Sequence, residues 1–467
     1  MATLTFYGAA QEVTGSCHLL ESKACGRVLL DCGLRQGGDA VERIHNERFS
    51  FRPDSIDAVV LSHAHLDHCG MLPLLVHQGF KGPIYCTRAT ADLLPIMLHD
   101  AVGLYLRDLE RQNLRATRRG RKTQEPVYDE QDVERVLQQL QPNRYRKPFR
   151  VGHHCSVTLH DAGHILGSAI VELTLTENDT EKTLVFSGDL GRKGSVLMND
   201  PATFEKADLV LMESTYGNRD HRNEDDSMDE LAQILHDTWE QGGSVMIPSF
   251  AVGRTQEILF HLGRLHYAGK LDKWQVFLDS PMAINVTRVY DRWLDILDDE
   301  DVRELSDAHR ESLADFLPRL QLTAGTDESM AINRIKGGAI IIAGSGMCTG
   351  GRIRHHFKQR IWDERNTVIF AGFQARGTLG RLLVDGMPSV KLFGEEYAVK
   401  ARIETLGCFS AHAGQSELVA WASNFEQDAR LVLVHGEPAA QDALAALLWN
   451  EHKIRAAIPA EGDTLAF

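Results

Sequence analysis

The sequence predicts an α/β chain in which a second α/β domain is threaded into the first, and three observations carry that prediction. Four apolar, β-branched runs, "RVLLDCG", "DAVVLSHAH", "TLVFSGDLG" and "ARLVLVHGE", each deliver a histidine or aspartate into a turn, as open sheets present side chains at their strand ends. Such residues fall in two blocks, with residues 218–410 between them holding no comparable cluster. That middle stretch has its own alternation: "GSVMIPS", "WQVFLDS", "GAIIIAG" and "NTVIFAGF" are strand-like, with helical stretches such as "RTQEILFHLGRLH" between them, the pattern of a parallel sheet of nucleotide-binding type. The length, 467 residues, also exceeds one typical core. We therefore expect residues 1–217 and 411–467 to form one domain and 218–410 an insert.

In chain order, Asp31 closes the first of these strands. The densest signal follows. "LSHAHLDHCG", residues 61–70, holds His63, His65, Asp67 and His68 between the strand-like "DAVVLS" and the helically spaced "MLPLLVHQ", hence on a strand-to-helix loop. Four such side chains there need partners, and a metal ion is the natural one. His63 and His65 alternate onto one side, whereas the neighbours Asp67 and His68 point apart from each other, so two ions are expected. Cys69 reads as a small buried residue rather than a ligand. Further along stand His164 in "DAGHILGS", Asp189 in "VFSGDLG" and Glu213 in "LVLMEST". "HRNEDDSMDE", residues 221–230, reads as a solvated acidic loop leading into the insert. Within the insert, "GSGMCTGGR" and "GFQARGTLGR" are glycine-rich turns that either offer N–H groups to a phosphate or simply turn tightly. Beyond it come His412 in "CFSAHAG" and His435 in "LVLVHGE".

Composition sets the class. Hydrophobic content of 43% and charged content of 25% are those of a globular protein. "MATLTFYGAA" lacks the form of a signal peptide, and no apolar run is long enough to span a bilayer, so no membrane role is expected. Eight scattered cysteines without a C-x-x-C pair suit reduced thiols in a cytoplasm. A formal net charge of −15 argues at first against a nucleic-acid partner, but local patches matter more than the sum. "RDLERQNLRATRRGRK", residues 107–122, carries seven Arg/Lys against two acids, and "RYRKPFR", residues 144–150, adds four more. These are either solvated faces or a phosphate-tracking surface.

The residue types suggest a mechanism. Two divalent ions about 3.5–4 Å apart need a bridging carboxylate, for which Asp189 at a strand end is the candidate. His63, His65 and His164 would complete one shell, and Asp67, His68 and His435 the other. Nitrogen-rich shells suit zinc, with manganese or iron as alternatives. Water between the ions becomes hydroxide at neutral pH, and both ions neutralise charge on a phosphodiester under attack. Asp31 reads as orienting a ligand histidine rather than as a ligand. His412 is the candidate general acid for the leaving oxygen, with Glu213 holding its ring.

These motifs, in this order, resemble the metallo-β-lactamase superfamily and, within it, the β-CASP nucleases. "HAHLDH" looks like the superfamily signature, with Asp31, His164 and Asp189 matching its other metal-site motifs; "EST" at Glu213, "SAHA" at His412 and "LVHGE" at His435 look like the three motifs particular to β-CASP. The resemblance implies an αβ/βα sandwich carrying a Rossmann-like β-CASP domain, with the active site in the cleft between. It also implies a zinc-dependent nuclease for single-stranded RNA, similar to bacterial and archaeal relatives of the endonuclease subunit that cuts pre-messenger RNA. On that resemblance His63, His65, His164 and Asp189 match the ligands of one zinc, Asp67, His68, Asp189 and His435 those of the other, and His412 with Glu213 the proton donor. DNA-processing members usually carry valine where this chain has His435, so the histidine points to RNA. Neither a KH-type module before residue 1 nor a J-type C-terminal domain is expected, which leaves RNA specificity and a homodimer open, as are endonuclease and 5′ exonuclease modes. The competing readings are a hydrolase of small phosphodiesters or thioesters and a catalytically silent RNA-processing scaffold.

Overall fold

A computed structural model describes residues 2–35, 40–177, 180–222, 224–372, 374–407 and 409–467. Asn223, Phe373 and Cys408, each inside a stretch read above, therefore lie outside the described residues. The chain divides into two compact units, residues 1–220 with 412–467 and residues 221–411.

The first unit is built on two seven-stranded sheets. One runs, in spatial order, Thr464–Ala466, Thr3–Gly8, Cys17–Ser22, Gly26–Leu30, Ala58–Val60, Ile84–Thr87 and Leu140–Asn143. The other runs Ala456–Ala457, Arg430–Val434, Leu209–Glu213, Thr180–Phe186, Ala169–Glu177, Cys155–Asp161 and Phe149–Arg150. Their strands alternate, so each contributes every second residue to one core. Leu4, Leu20, Val28, Leu30 and Val60 from the first sheet pack with Val171, Leu173, Leu184, Phe186, Leu211 and Val432 from the second. The intervening residues of the second sheet, Ile170, Val185, Val210, Met212, Leu431 and Leu433, face outward onto Leu418, Trp421, Leu444 and Leu448 of the following helical segments. Against the first sheet lies the 31-residue helix Arg88–Arg118, in contact with Ile84–Thr87 and Leu140–Asn143. The result is helix, sheet, sheet, helix: the expected αβ/βα sandwich.

The inserted unit holds a six-stranded sheet in which every pairing is parallel. Its order is Leu320–Leu322, Gln275–Leu278, Ala339–Ala343, Val245–Pro248, Thr367–Phe370 and Arg402–Thr405. Numbered by sequence that is 3-2-4-1-5-6, so the unit shares the doubly wound layout of nucleotide-binding folds while differing from their 3-2-1-4-5-6 order. Helices cover both faces. Ile258, Leu259 and Leu262 meet Ile340 and Ile342 on one side, and Ile353 and Phe357 meet Met246, Val368 and Phe370 on the other. The acidic stretch expected to be a loop is instead mostly the start of helix Glu224–Glu240. Among the described residues no helix is long and apolar enough to cross a membrane. The seven described cysteines are unbridged.

Candidate metal centre

Strand ends and the turns after them build the site. The strand Ala58–Val60 runs into a loop that holds His63 and His65, and a single helical turn, Leu66–Cys69, then carries Asp67 and His68. His164 lies in the turn between Cys155–Asp161 and Ala169–Glu177, and Asp189 follows Thr180–Phe186. Glu213 ends its strand, and His435 follows Arg430–Val434. Parallel pairing of Leu209–Glu213 with Arg430–Val434 sets Glu213 against Val434, which brings residues from either side of the insert together. Asp31 and His435 both sit at positive φ, 61° and 50°, a conformation that non-glycine residues hold only where their surroundings compel it. In each the main chain is tied down: Asp31 N–H donates to Val60 O at 3.0 Å and His435 N–H to Ala9 O at 2.7 Å.

Three groups of donor atoms converge. His63, His65, His164 and Asp189 form one, Asp67, His68 and His435 a second, and Asp189, Glu213 and His412 a third, with the donors of each group within 4.8 Å of one another. In the first, Nδ1 of His65 is 3.1 Å from Nε2 of His63 and 3.1 Å from Nε2 of His164, and both Nε2 atoms are 3.5 Å from Asp189 Oδ2. In the second, the Nε2 atoms of His68 and His435 are 3.2 Å apart, with Asp67 Oδ2 3.8 Å from the latter. Asp189 Oδ1 lies 3.3 Å from His68 Nε2 and 3.5 Å from His435 Nδ1, so its two oxygens face the two groups.

These separations test the fit of an ion. Ligand atoms in a tetrahedral shell with bonds of about 2.0–2.1 Å stand about 3.3 Å apart, close to what is seen here. Asp189 Oδ1 is buried with no hydrogen-bond partner, a state that costs about 1–3 kcal/mol and that a cation would relieve. The donor set therefore fits a divalent metal.

Outer contacts decide which nitrogen faces inward. Asp31, fully buried, accepts from His68 Nδ1 at 2.7 Å and from the Ser62 hydroxyl and backbone N–H at 2.9 and 2.7 Å. Having donated to Asp31, Ser62 Oγ can only accept from His63 Nδ1, 3.0 Å away. The Thr215 hydroxyl plays the same part for His435, lying 3.1 Å from both its carbonyl oxygen and its Nδ1. In all three histidines Nε2 is left pointing at the donor groups. The Ser168 hydroxyl accepts from the backbone N–H of His164 at 3.1 Å. Sequence reading missed Ser62, Thr215 and Ser168. Ser62 and Thr215 adjoin or lie two residues from a motif residue, but a small hydroxyl residue there carries no distinguishing pattern. Cys69 is buried, its thiol donates to Ala64 O at 3.4 Å, and it belongs to none of the donor groups.

The electrostatics favour positive charge. Burial, then the neighbouring His68, holds His63 well below the ordinary histidine range, and burial chiefly brings His65 to about 4, so both are the neutral form that ligands must be. Burial opposes charge on His68 as well, but Asp189 and Asp31 override it and raise its pKa well above the usual value. Burial would raise Asp67, yet the surrounding histidines, His435 foremost, bring it to about 2. Glu213 is fully buried and accepts from Leu190 N–H at 2.7 Å, Thr215 N–H at 3.3 Å and His412 Nδ1 at 3.0 Å. Burial pushes His412 down, but Glu213 and then Asp189 outweigh it and lift its pKa to about 9.

The sandwich and the donor groups gathered at its strand ends are those of a metal-dependent hydrolase. Comparison with known proteins specifies which kind. Residues 11–236 match the family model of the metallo-beta-lactamase superfamily, residues 255–383 that of the Beta-Casp domain, and residues 396–459 that of the Zn-dependent metallo-hydrolase RNA specificity domain. Ribonuclease TTHA0252 of Thermus thermophilus is 41% identical over 444 residues, covering 95% of each chain. The RNase J-like protein of Methanocaldococcus jannaschii is 30% identical over the whole of both chains, and the transcription termination factor FttA of Methanothermobacter thermautotrophicus is 31% identical over 99% of this chain and 71% of its own. A solved protein of unknown function from Enterococcus faecalis, 16% identical and covering both chains fully at a TM-score of 0.54, shares the fold. The chain belongs to the β-CASP ribonuclease family of the metallo-β-lactamase superfamily, and it is a metal-dependent nuclease.

Proposed function

We propose that this protein is a zinc-dependent ribonuclease that uses two metal ions to hydrolyse phosphodiester bonds of single-stranded RNA in the cytoplasm, with His412 as general acid. The observation that carries the reading is Asp189, a buried carboxylate whose two oxygens face two separate donor groups and one of which lacks a hydrogen-bond partner. The names of the relatives and the RNA specificity model support RNA as the substrate.

On this reading His63, His65, His164 and Asp189 hold one ion, and Asp67, His68, His435 and Asp189 the other. Such a pair supplies Lewis acidity toward phosphoryl oxygen and lowers the pKa of water to near 7. The chain does the rest. Asp31, Ser62 and Thr215 fix the ring orientations, so the donor atoms need no rearrangement as charge develops. Glu213 accepts from His412 Nδ1, keeps the imidazolium charged at neutral pH and orients Nε2 as the proton donor to the departing oxygen.

The test is a 5′-labelled single-stranded RNA incubated with zinc-loaded protein and with His412→Ala, products being sized on a denaturing gel. Internal fragments that are lost in the variant support an endonuclease with His412 in the chemistry. Immediate release of labelled mononucleotide supports 5′ exonuclease action. Failure to cut any RNA with two metals bound, measured by elemental analysis, rejects the reading.

A further inference from the structure

Helix Arg88–Arg118 does two jobs along its length. Its first part is packed, burying Leu94, Leu98, Val102, Tyr105 and Leu109. After Leu109 the helix buries nothing more, and residues 118–126 are all exposed. The projecting part is nevertheless ordered. Asn113 clamps the returning chain by donating from Nδ2 to Gln124 O at 2.8 Å and accepting from Gln124 N–H at 2.8 Å, and Val127 N–H donates to the Tyr105 hydroxyl.

What this arm presents is a stripe. At 100° per residue, Leu104, Arg107, Arg111, Leu114, Arg115 and Arg118 fall within an arc of about 100°, opposite the packed face. Leu104 and Leu114 are 49% and 53% exposed. Arg119, Arg121 and Lys122 continue the positive charge around the turn. Within residues 107–122 seven cations face two acids, in a chain whose net charge is −15. The helix dipole accounts for Arg115 and Arg118 in the last turn only. Arg107, Arg111 and Arg115 stand four residues apart, a spacing at which like charges repel, and of the three the charge of Arg111 is offset by an ion pair with Asp108 at 3.1 Å. A solvated face gains nothing from that repulsion, whereas a polyanion relieves it. Outside this stretch the molecule is acidic in sum, so it also needs a local positive field to draw in a polyanionic substrate.

We propose that this face of the helix, with the turn beyond it, is a backbone-binding exosite for single-stranded RNA, made of none of the metal-centre residues. The arginines take phosphates, and Leu104 and Leu114 offer apolar surface to ribose and base. The inference rests on the ribonuclease reading above.

The experiment compares the wild type with a variant carrying Arg115→Gln, Arg118→Gln, Arg119→Gln and Arg121→Gln, and with a second carrying Lys at the same four positions. Each is assayed on a single-stranded RNA and on bis(p-nitrophenyl) phosphate, which has no strand to track. With about 0.7 ions released per single-strand phosphate contact, the Gln variant should raise KM for RNA about tenfold and flatten its logarithmic salt dependence by about 3. Its turnover of the small diester should be unchanged, and the Lys variant should keep the wild-type salt slope. Wild-type KM and slope in the Gln variant overturn the exosite alone. So does loss of polyglutamate binding without loss of RNA binding, which assigns the face to an acidic protein. A wild type that turns over the small diester and cuts no RNA overturns the ribonuclease reading beneath it.

Discussion

Asp31 is not itself a member of the converging donor groups, yet its hydrogen bond determines how His68 behaves, and Glu213 acts in the same way on His412. Both carboxylates are fully buried and spend their lone pairs on neighbours. The consequence for chemistry is a pH dependence. A general acid must be protonated, so with His412 in the role proposed for it activity should fall as pH rises through its pKa, which Glu213 and Asp189 lift to about 9 against the opposing effect of burial. In Glu213→Gln the largest raising influence is gone and the alkaline limb of the kcat profile moves to lower pH. A limb that stays in place would remove His412 from the role of proton donor. Asp31→Asn keeps the shape but can turn an N–H toward His68; a loss of about 10–100-fold in metal affinity is expected, read by competition with a chromophoric chelator.

At the scale of elements, the donor groups depend on turns that pass within contact distance of each other. Gly33 follows the Asp31 turn, and a Cβ there would stand 1.7 Å from the Asp67 carbonyl oxygen. Gly33→Ala must push away the helical turn that holds Asp67 and His68, so on the proposed two-ion reading metal content by elemental analysis should fall from two toward one while the insert keeps its structure. In the insert the comparable element is the end of strand Gln275–Leu278. There Asp279, fully buried, accepts from Arg352 at 2.7 Å, His356 at 2.7 Å, Ser329 at 2.6 Å and Thr323 at 2.9 Å. Burial would raise its pKa, but His356, Ser329 and Arg352 bring it from 3.8 down to about 2. A depressed carboxyl contributes stability above its unfolded pKa and loses it as pH falls through the folded one, here between about 4 and 2. Asp279→Asn should therefore cost about 3 kcal/mol at neutral pH, by denaturant melts, and the gap to wild type should narrow below about pH 4.

Across the whole molecule there are two units with separate cores, and among the described residues the candidate metal centre is carried by only one of them, residues 1–220 with 412–467. Chelation should abolish nuclease activity and lower the unfolding temperature of that unit, because a ligand bound only to the folded state stabilises by mass action. Calorimetry should then show one transition moving with EDTA and a second holding still. Two transitions that moved together would place metal-linked stability in the insert as well.

The chain itself marked the candidate donors. "HAHLDH" is contiguous, and the β-branched runs ending in Asp31, Asp189 and His435 carry their own strand periodicity and turn chemistry, which are local properties of the backbone. Expecting an interrupted α/β architecture needed only that pattern and the gap in it. Tertiary structure alone decided the rest. Which nitrogen of His63, His68 or His435 faces inward is set by Ser62, Asp31 and Thr215, and two of those three contacts join residues 37 and 220 positions apart. The 3-2-4-1-5-6 order of the insert is a choice among crossovers that no strand encodes alone. Likewise, the arginines of residues 107–122 form a single face only because packing at Leu98, Val102, Tyr105 and Leu109 fixes which side of the helix meets solvent. Local spacing specifies a residue's kind and element; its partners are specified by long-range burial, which the linear chain expresses only once folded.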